Sequence, residues 1–204
     1  MAKVKLTKTE LKAQSDQLKR FQRFLPMLQL KKQQLQSEIA GIIAKAEAVA
    51  AEERALREDL AHWVGLIATA EESLTGLVKL RAVKTGSANI AGVAIPTFEA
   101  IETDIGEIDA WATPAWLDNA LESAKRILSL QCERRVYEEQ RRLITEELQQ
   151  TSQRVNLFEK VKIPQCKEAI RIIKIALGDE QTAAVTRGKI AKSRAPSADQ
   201  EVAA

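Results

Sequence analysis

The sequence contains few aromatic residues, glycines and prolines, and these shortages limit the folds it can adopt. Its 204 residues include four Phe, three Trp and one Tyr, too few for a broad compact core, because large rings dominate core burial. Eight Gly and five Pro allow few turns. The 45% apolar and 29% charged content, rich in Ala, Leu, Glu, Lys, Arg and Gln, is typical of long helices or a coiled coil.

Long apolar runs are also missing. No stretch of about 18 apolar residues occurs, so no helix is expected to span a membrane. The opening Met-Ala-Lys-Val-Lys-Leu lacks the apolar segment of a secretory signal, and we expect a cytoplasmic protein. Cys132 and Cys166, placed on one helix, would lie roughly 50 Å apart. We therefore expect reduced thiols, as is usual in the cytosol.

No catalytic, cofactor-binding or metal-binding constellation is visible. His62 is the only histidine, and a lone His with two distant cysteines makes no zinc site. Residues 84–87 lack the glycines of a phosphate-binding loop. Paired carboxylates on the predicted helices are interpreted as ordinary exposed charges: Glu52-Glu53 and Glu138-Glu139. We expect a protein that is not an enzyme.

Apolar residues recur every seven positions in two interleaved series, from Leu11 to Leu74 and from Gln14 to Leu77. Of these 20 seam positions 17 are apolar, the exceptions being Gln14, Lys32 and Glu53. A strict seven-residue repeat of this length predicts a long helix in a left-handed coiled coil. Thr7 as N-cap and Glu10 as its capping-box partner mark the start of that helix.

A second helical pattern follows the middle of the chain. Thr113-Pro114 restarts a helix, with Thr as N-cap and Pro at the first helical position. An apolar stripe beginning with Leu117, Leu121, Ala124 and Leu128 blurs through Glu133–Arg142 and then returns. We expect this helix to continue through Gly178 towards Lys192.

One irregularity interrupts the second pattern. The step from Phe158 to Ile163 is five residues and lies beside Pro164. A proline inside a helix removes a hydrogen bond, and a slip of one residue there predicts a local bulge.

The predicted fold is all-α: a long antiparallel two-helix left-handed coiled coil with a short middle section at one end. Residues 90–98 in that section are small, apolar and β-branched, which suits a short strand or hairpin. The expected parts are a helix over 1–82, a compact foot over 83–113, a helix over 114–192 and a disordered tail over 193–204.

If residue 80 of the first helix lies opposite residue 114 of the second, the numbers of any two residues that lie opposite each other add to about 194. Pro26 and Pro164 then lie at nearly the same height. Either each proline is merely tolerated in its helix, or the two together form a localised bend in the shaft, which we take as the hypothesis to test.

Charge is segregated along the chain. Residues 85–124 contain seven acids and no base, whereas residues 1–32 contain nine bases and two acids. Residues 160–194 contain nine bases and three acids. An antiparallel hairpin brings the two basic runs together, which predicts a basic tip and an acidic foot.

Four collinear segments resemble the D subunit of V-type and A-type ATPases and ATP synthases. The most specific segment runs from Arg154 to Pro164 and reads RVNLFEKVKIP. The others are similar to the same family: residues 6–32, 90–96 and 185–192.

The resemblance implies a central-stalk rotor subunit, monomeric within its complex, without a membrane span, cofactor or nucleic-acid partner. Its terminal helices would enter the catalytic hexamer of A and B subunits. The F subunit would bind the shaft, and a socket subunit would couple it to the membrane rotor. The complex would synthesise or hydrolyse ATP and move H⁺ or Na⁺, with this chain at the cytoplasmic side of the membrane.

Candidate interface residues follow from the charge pattern and the resemblance. The residues expected to face the hexamer are Lys8, Lys12, Arg20, Arg23, Arg154, Asn156, Lys162, Arg187, Lys189 and Lys192. The residues expected to contact the F subunit lie where the seam is irregular: Glu133, Arg134, Tyr137 and Arg141.

Two alternatives belong to other functional classes. A prefoldin-like coiled-coil chaperone would need exposed apolar helix tips, whereas these tips are basic. A nucleic-acid or anionic-membrane binder would use the basic end. Against that reading, the net charge is only +3 and no stacking aromatic residues are interleaved with the bases.

Overall fold

A computed structural model describes residues 5–61, 78–106 and 116–194. Its elements are α1 (Lys8–Ala61), β1 (Val78–Ile90), β2 (Val93–Ile105), α2 (Leu117–Leu157), a π-helical segment (Phe158–Lys162) and α3 (Ile163–Arg194). These elements form two compact units. The terminal unit comprises described residues 5–29 and 153–194, and the hairpin unit comprises described residues 30–61, 78–106 and 116–152.

The start of α1 is capped as predicted. Thr7 Oγ1 accepts a hydrogen bond of 3.2 Å from the Glu10 backbone N–H, which satisfies one of the free donors of the first turn. The reciprocal half of the capping box is replaced by other contacts. The Glu10 carboxylate instead accepts from Gln14 Nε2 at 2.8 Å, and the Thr7 N–H bonds to the Lys5 carbonyl.

The heptad pattern correctly identifies the protected side of α1. Every seam position from Leu11 to Leu60 is buried or half-buried. Seam positions from 63 to 77 lie outside the described residues, as does His62. Residues 78–82, which the predicted boundary assigns to the helix, belong to β1. Their sequence, Val-Lys-Leu-Arg-Ala, alternates with the period of two that favours a strand.

The middle section is a two-stranded antiparallel hairpin, longer than the segment over 90–98 that the sequence indicated. Pairing runs from Ile90 opposite Val93 to Val78 opposite Ile105, with two register shifts. The two-residue turn has Ala91 at φ 51° and Gly92 at φ 85°. Positive φ at both positions matches the right-handed twist of a tight hairpin.

The hairpin packs alongside α1 and α2. Ile95 of β2 is 4% exposed and forms one apolar cluster with Leu35, Ile42 and Ile144. Strands of 13 residues span roughly 43 Å. The distance along α1 from Leu35 to its described end is similar, roughly 39 Å at 1.5 Å per residue. The hairpin therefore covers much of the helix pair in its unit.

The observed helix register differs from the predicted one. Lys31 Nζ lies 2.6 Å from a Glu147 oxygen, and Arg126 pairs with Glu52 at 2.5 Å. In both pairs the residue numbers add to 178, so the expected value of about 194 is wrong. The error comes from the boundary, because the expected value assumed that α1 continued to residue 80. The described ends of α1 and α2, residues 61 and 117, also add to 178.

The C-terminal helices confirm the predicted irregularity. Phe158–Lys162 is a π-helical segment in which the Ile163 N–H donates to the Phe158 carbonyl, five residues back. α3 then continues through Gly178 to Arg194, as expected. Ala124 is exposed and does not belong to the buried stripe. The predicted cap at Thr113-Pro114 lies outside the described residues.

Candidate functional surfaces

The residues expected to face a catalytic hexamer all lie in the terminal unit and are all exposed. None of the ten forms an ion pair or a side-chain hydrogen bond within the described part of the chain. Helical backbone places them: α1 carries Lys8, Lys12, Arg20 and Arg23, and the others lie between residues 154 and 192.

The terminal unit is strongly basic. Its described residues include 16 Lys and Arg against 6 Asp and Glu, a net charge of +10. Among them the single ion pair is Arg171–Glu168, at 2.6 Å. The hydrogen bond from Arg171 lowers the pKa of Glu168. Most of this positive charge is therefore uncompensated within the unit.

The two prolines do not lie at the same height. The rings of Phe21 and Phe158 have centroids 5.1 Å apart and mark one level of the terminal unit. Pro26 follows Phe21 by five residues and Pro164 follows Phe158 by six, in opposite directions for an antiparallel pair. That separation is roughly 16 Å along the axis. Pro26 lies within α1 and Pro164 at the start of α3, directly after the π-helical segment.

The residues expected to contact the F subunit lie in the hairpin unit. Arg134, Tyr137 and Arg141 line a shallow groove of about 200 Å³ whose other wall is formed by α1 residues from Ile42 to Ala50. Glu133 accepts a hydrogen bond from the Tyr137 hydroxyl at 3.1 Å. Burial, followed by this contact with Glu133, raises the pKa of Tyr137. The structure brings the four residues together on one stretch of α2.

Sequence reasoning missed a buried carboxylate. Glu53, interpreted as an exposed charge, is 2% exposed. It accepts hydrogen bonds from Gln131 at 3.0 Å and Arg134 at 3.2 Å, and Arg57 lies 2.7 Å from it. The signal was present, since Glu53 occupies a seam position of the heptad pattern.

The foot is less uniformly acidic than the charge count suggested. β2 carries Glu99, Glu102 and Asp104, but β1 carries Lys79, Arg81 and Lys84. Lys84 and Glu102 form an ion pair of 2.8 Å. The count that began at residue 85 left out this basic strand.

Exposed apolar side chains accompany the bases of the terminal unit, a feature that the sequence pattern did not predict. On α1, Phe24 is 49% exposed and Met27 is 61% exposed. On the C-terminal helices the exposed apolar residues are Leu157, Val161, Ile172, Ile175, Val185 and Ile190.

Metal-binding groups and the two cysteines form no shared site in the described regions. Within them, no cluster of three His, Cys, Asp or Glu side chains is placed to hold a metal ion. Cys132 and Cys166 are both buried and free, and burial raises the pKa of Cys166. Of the described helices, none is both long and apolar enough to cross a membrane.

These features define a class: a helix-pair protein with an inserted β-hairpin and charged, exposed surfaces. Comparison with known proteins gives its family. The sequence model of the family described as the ATP synthase D subunit matches residues 10–193. The V-type ATP synthase D subunit of Borreliella burgdorferi is 46% identical over 193 residues, covering 95% of each chain.

Two further relatives agree. The V-type ATP synthase D subunit of Chlamydia muridarum is 32% identical over 196 residues, covering 95% of this chain and 96% of its own length. The Chlamydia felis protein of the same name is 30% identical, covering 95% of this chain and 94% of its own length. The chain belongs to the family of ATP synthase D subunits.

Proposed function

We propose that this chain is the central rotor shaft of a rotary V-type or A-type ATPase or ATP synthase, and a non-catalytic component of it. The observation that carries the proposal is the family match, which spans residues 10–193. The shaft couples ATP synthesis or hydrolysis in a hexamer of A and B subunits to H⁺ or Na⁺ translocation through the membrane sector.

The mechanism follows from symmetry. Three equivalent catalytic sites in a ring stay equivalent until an asymmetric object lies among them. A two-helix shaft presents a different face to each subunit pair and favours a different conformation in each. Nucleotide binding and shaft angle are then linked reciprocally by a coupling free energy, and a third of a turn exchanges the roles of the three sites.

The terminal unit is the part that we propose enters the hexamer. Its net charge of +10 and its ten exposed candidate residues support this assignment, because uncompensated bases are available to carboxylates of a surrounding ring. Exposed apolar residues such as Phe24 and Met27 supply surface that a close-fitting partner would cover.

The prolines are proposed as two separate sources of shaft asymmetry. Each lies inside a helical stretch where its missing N–H removes a hydrogen bond. The π-helical segment before Pro164 supports a local change of helix direction at that point, since π-bulges accompany kinks.

The hairpin unit is proposed to carry the remaining contacts. The F subunit would use the groove lined by Arg134, Tyr137 and Arg141, which combines an apolar floor with charged walls. A socket subunit would bind towards the membrane rotor. The chain would then lie at the cytoplasmic side of the plasma membrane as a peripheral part of the complex.

Co-purification tests the assignment. An affinity-tagged chain expressed with the other subunits should capture the A, B and F subunits. A monodisperse chain that captures none of them and holds unfolded client proteins would overturn the proposal in favour of a chaperone. Salt-sensitive binding to DNA or anionic liposomes, without those subunits, would favour the other alternative.

Charge reversal tests the hexamer-facing surface. The double variant Arg20→Glu, Arg23→Glu should lower ATP-driven rotation in the reassembled complex, because both side chains would repel a carboxylate lining. Lys45→Glu with Lys79→Glu is the matched control, since both lysines are exposed but lie in the hairpin unit. Equal effects of the two double variants would contradict the assignment of the terminal unit to the hexamer.

A proline variant tests the bends. Pro26→Ala with Pro164→Ala restores two backbone donors and should straighten the helices. If rotation and ATPase coupling in the reassembled complex are unchanged, the prolines are not the source of asymmetry.

A further inference from the structure

The helix pair of the hairpin unit has a seam made largely of interchangeable apolar residues. Such a seam holds two helices together but specifies their axial alignment weakly, because a slip of seven residues places similar side chains opposite one another. A slip of that size moves one helix by about 10 Å along the other. Something else must define which residues lie opposite each other.

Among the described residues, Glu53 is the one charged residue that is buried. It is 2% exposed and sits at a seam position between Ala46 and Leu60. A carboxylate removed from water is strongly unfavourable unless it is paired and hydrogen-bonded. Its partners therefore decide which arrangements of the helix pair are acceptable.

Two of its partners come from the opposite helix. Gln131 Nε2 donates at 3.0 Å to one carboxylate oxygen and Arg134 donates at 3.2 Å to the other. Arg57, one turn further along α1, lies 2.7 Å away and moves with Glu53 in any slip. Of these three partners, only Gln131 and Arg134 would be exchanged for other residues if the two helices slid past each other.

A slip by one heptad weakens this recognition in either direction. In one direction Ala124 and Ile127 replace Gln131 and Arg134, so the carboxylate loses both donors from α2. In the other direction Arg141 takes the place of Arg134 and can still pair with Glu53, but Glu138 takes the place of Gln131 and repels it.

The other cross-helix ion pairs discriminate less. In the Arg126–Glu52 pair both side chains are about half exposed, and water replaces a lost partner at such a site. The Lys31–Glu147 pair is more protected, with side chains 32% and 22% exposed, but both groups still reach solvent.

We infer that Glu53, held by Gln131 and Arg134, is the residue that sets the axial register of the α1–α2 pair. A polar residue in an apolar seam costs stability and fixes alignment. This role concerns the chain itself and stands whether or not the chain serves as a rotor shaft.

Crosslinking of introduced cysteines with a short bismaleimide in the full chain tests the inference, because the opposed positions meet through the tips of long side chains, which is too far apart for a direct disulfide. The background carries Cys132→Ala and Cys166→Ala, so that only introduced thiols react. Lys31→Cys with Glu147→Cys reports the native register, because these residues are in contact. Glu52→Cys with Asn119→Cys reports a slip of one heptad, since Glu52 natively meets Arg126.

Glu53→Leu is the decisive variant. It should lower the yield of the native crosslink at least twofold and produce the slipped one, while the thermal midpoint stays equal or rises. A purely stabilising role for Glu53 predicts the opposite: a lower midpoint and only the native crosslink. An undiminished native crosslink with no slipped product would overturn the inference.

The matched control is Glu52→Gln, the neighbouring residue with an exposed cross-helix pair. Measured with the Lys31 and Glu147 cysteines, it should leave the native yield unchanged. A loss as large as that of Glu53→Leu would show that any cross-helix charge sets the register and would also overturn the assignment. Circular dichroism confirms that each variant is helical before crosslinking.

Discussion

The two units of the molecule differ in net charge and in the polar groups that they bury. The hairpin unit has 14 Lys and Arg against 16 Asp and Glu among its described residues, a net charge of −2, whereas the terminal unit has +10. The hairpin unit also buries polar groups, including Glu53 and Gln140. Gln140 Nε2 donates to the Pro96 carbonyl at 2.5 Å, which ties β2 to α2.

The difference indicates where each unit obtains its stability. Four elements, α1, β1, β2 and α2, surround the core of the hairpin unit, so many of its charges and its core apolar groups find partners within it. The terminal unit joins helical segments only, and large apolar residues such as Met27 and Val185 are exposed. A unit that satisfies its own side chains is suited to stiffness, and one that leaves them uncovered is suited to contact with other chains.

Truncation of a buried isoleucine should give the largest difference in unfolding free energy between the two units. Ile144 and Ile173 are both 0% exposed, but Ile144 packs against the hairpin and Ile173 lies in a helical seam. Ile144→Ala should cost about 3–5 kcal/mol and Ile173→Ala about 2–3 kcal/mol, because a seam bordered by solvent collapses more easily around a cavity. Chemical denaturation gives the free energies of unfolding.

Hydrogen exchange locates the effect of each variant. Ile144→Ala should reduce protection of amides in β1 and β2, and Ile173→Ala should leave them protected. Equal loss of hairpin protection in both variants would mean that the two units unfold as one, and the comparison would fail.

Arginines that pair with a buried and with an exposed carboxylate should differ next. Arg134→Leu removes a donor from the buried Glu53 and should cost about 1–3 kcal/mol, since Gln131 and Arg57 still bond to the carboxylate. Arg171→Leu in the terminal unit breaks an exposed pair and should cost about 0–1 kcal/mol. Thermal unfolding of both variants measures the difference, and equal costs would indicate that Glu53 gains water when Arg134 is lost.

The sequence predicted much of the fold because its heptad pattern is strong. Every seam position from Leu11 to Leu60 is protected, and the π-helical segment at Phe158–Lys162 occurs where the five-residue step predicted a bulge. Both are local consequences of helix periodicity. They depend on neighbouring residues in the chain and need no knowledge of tertiary packing.

The register and the hairpin contacts depend on tertiary packing and were not predictable in this way. The heptad series ended at Leu77, but the predicted helix boundary was placed beyond it and so included residues 78–82, which belong to β1. The stripe on α2 blurs through Glu133–Arg142 since the hairpin contacts that stretch as well as α1, for example at Gln140. A helix that contacts partners on two faces does not show one apolar stripe with a single period.

The candidate surfaces were predicted unevenly for the same reason. Exposure of residues such as Arg20 and Lys189 follows from composition, and the structure places both at the surface. Burial of Glu53 depends on which α2 residues lie opposite it, and that required the observed register.

Glycines in the two units should respond to alanine with opposite signs. Gly92 has φ 85° in the hairpin turn, so Gly92→Ala should cost about 1–2 kcal/mol. Gly178 lies inside α3, so Gly178→Ala should gain about 0.5–1 kcal/mol. A Cβ at either position would meet no other atom within 4 Å, which isolates the backbone effect. Thermal denaturation checks both, and a loss at Gly178 would mean that α3 is not helical there.

The smallest predicted effect is one in which the two units should agree. Hydrogen bonds from Arg142 and Arg171 lower the pKa of Glu139 in the hairpin unit and of Glu168 in the terminal unit. A lowered folded-state pKa contributes stability above the unfolded value of about 4.3, and that contribution is lost as pH falls through the folded-state pKa.

Carboxyl NMR titration should give both groups midpoints below those of unpaired glutamates. Arg171→Gln should raise the midpoint of Glu168 and leave that of Glu139 unchanged. If Glu168 does not move, its ion pair does not persist in solution, and the terminal unit has even less internal charge compensation than its described contacts indicate.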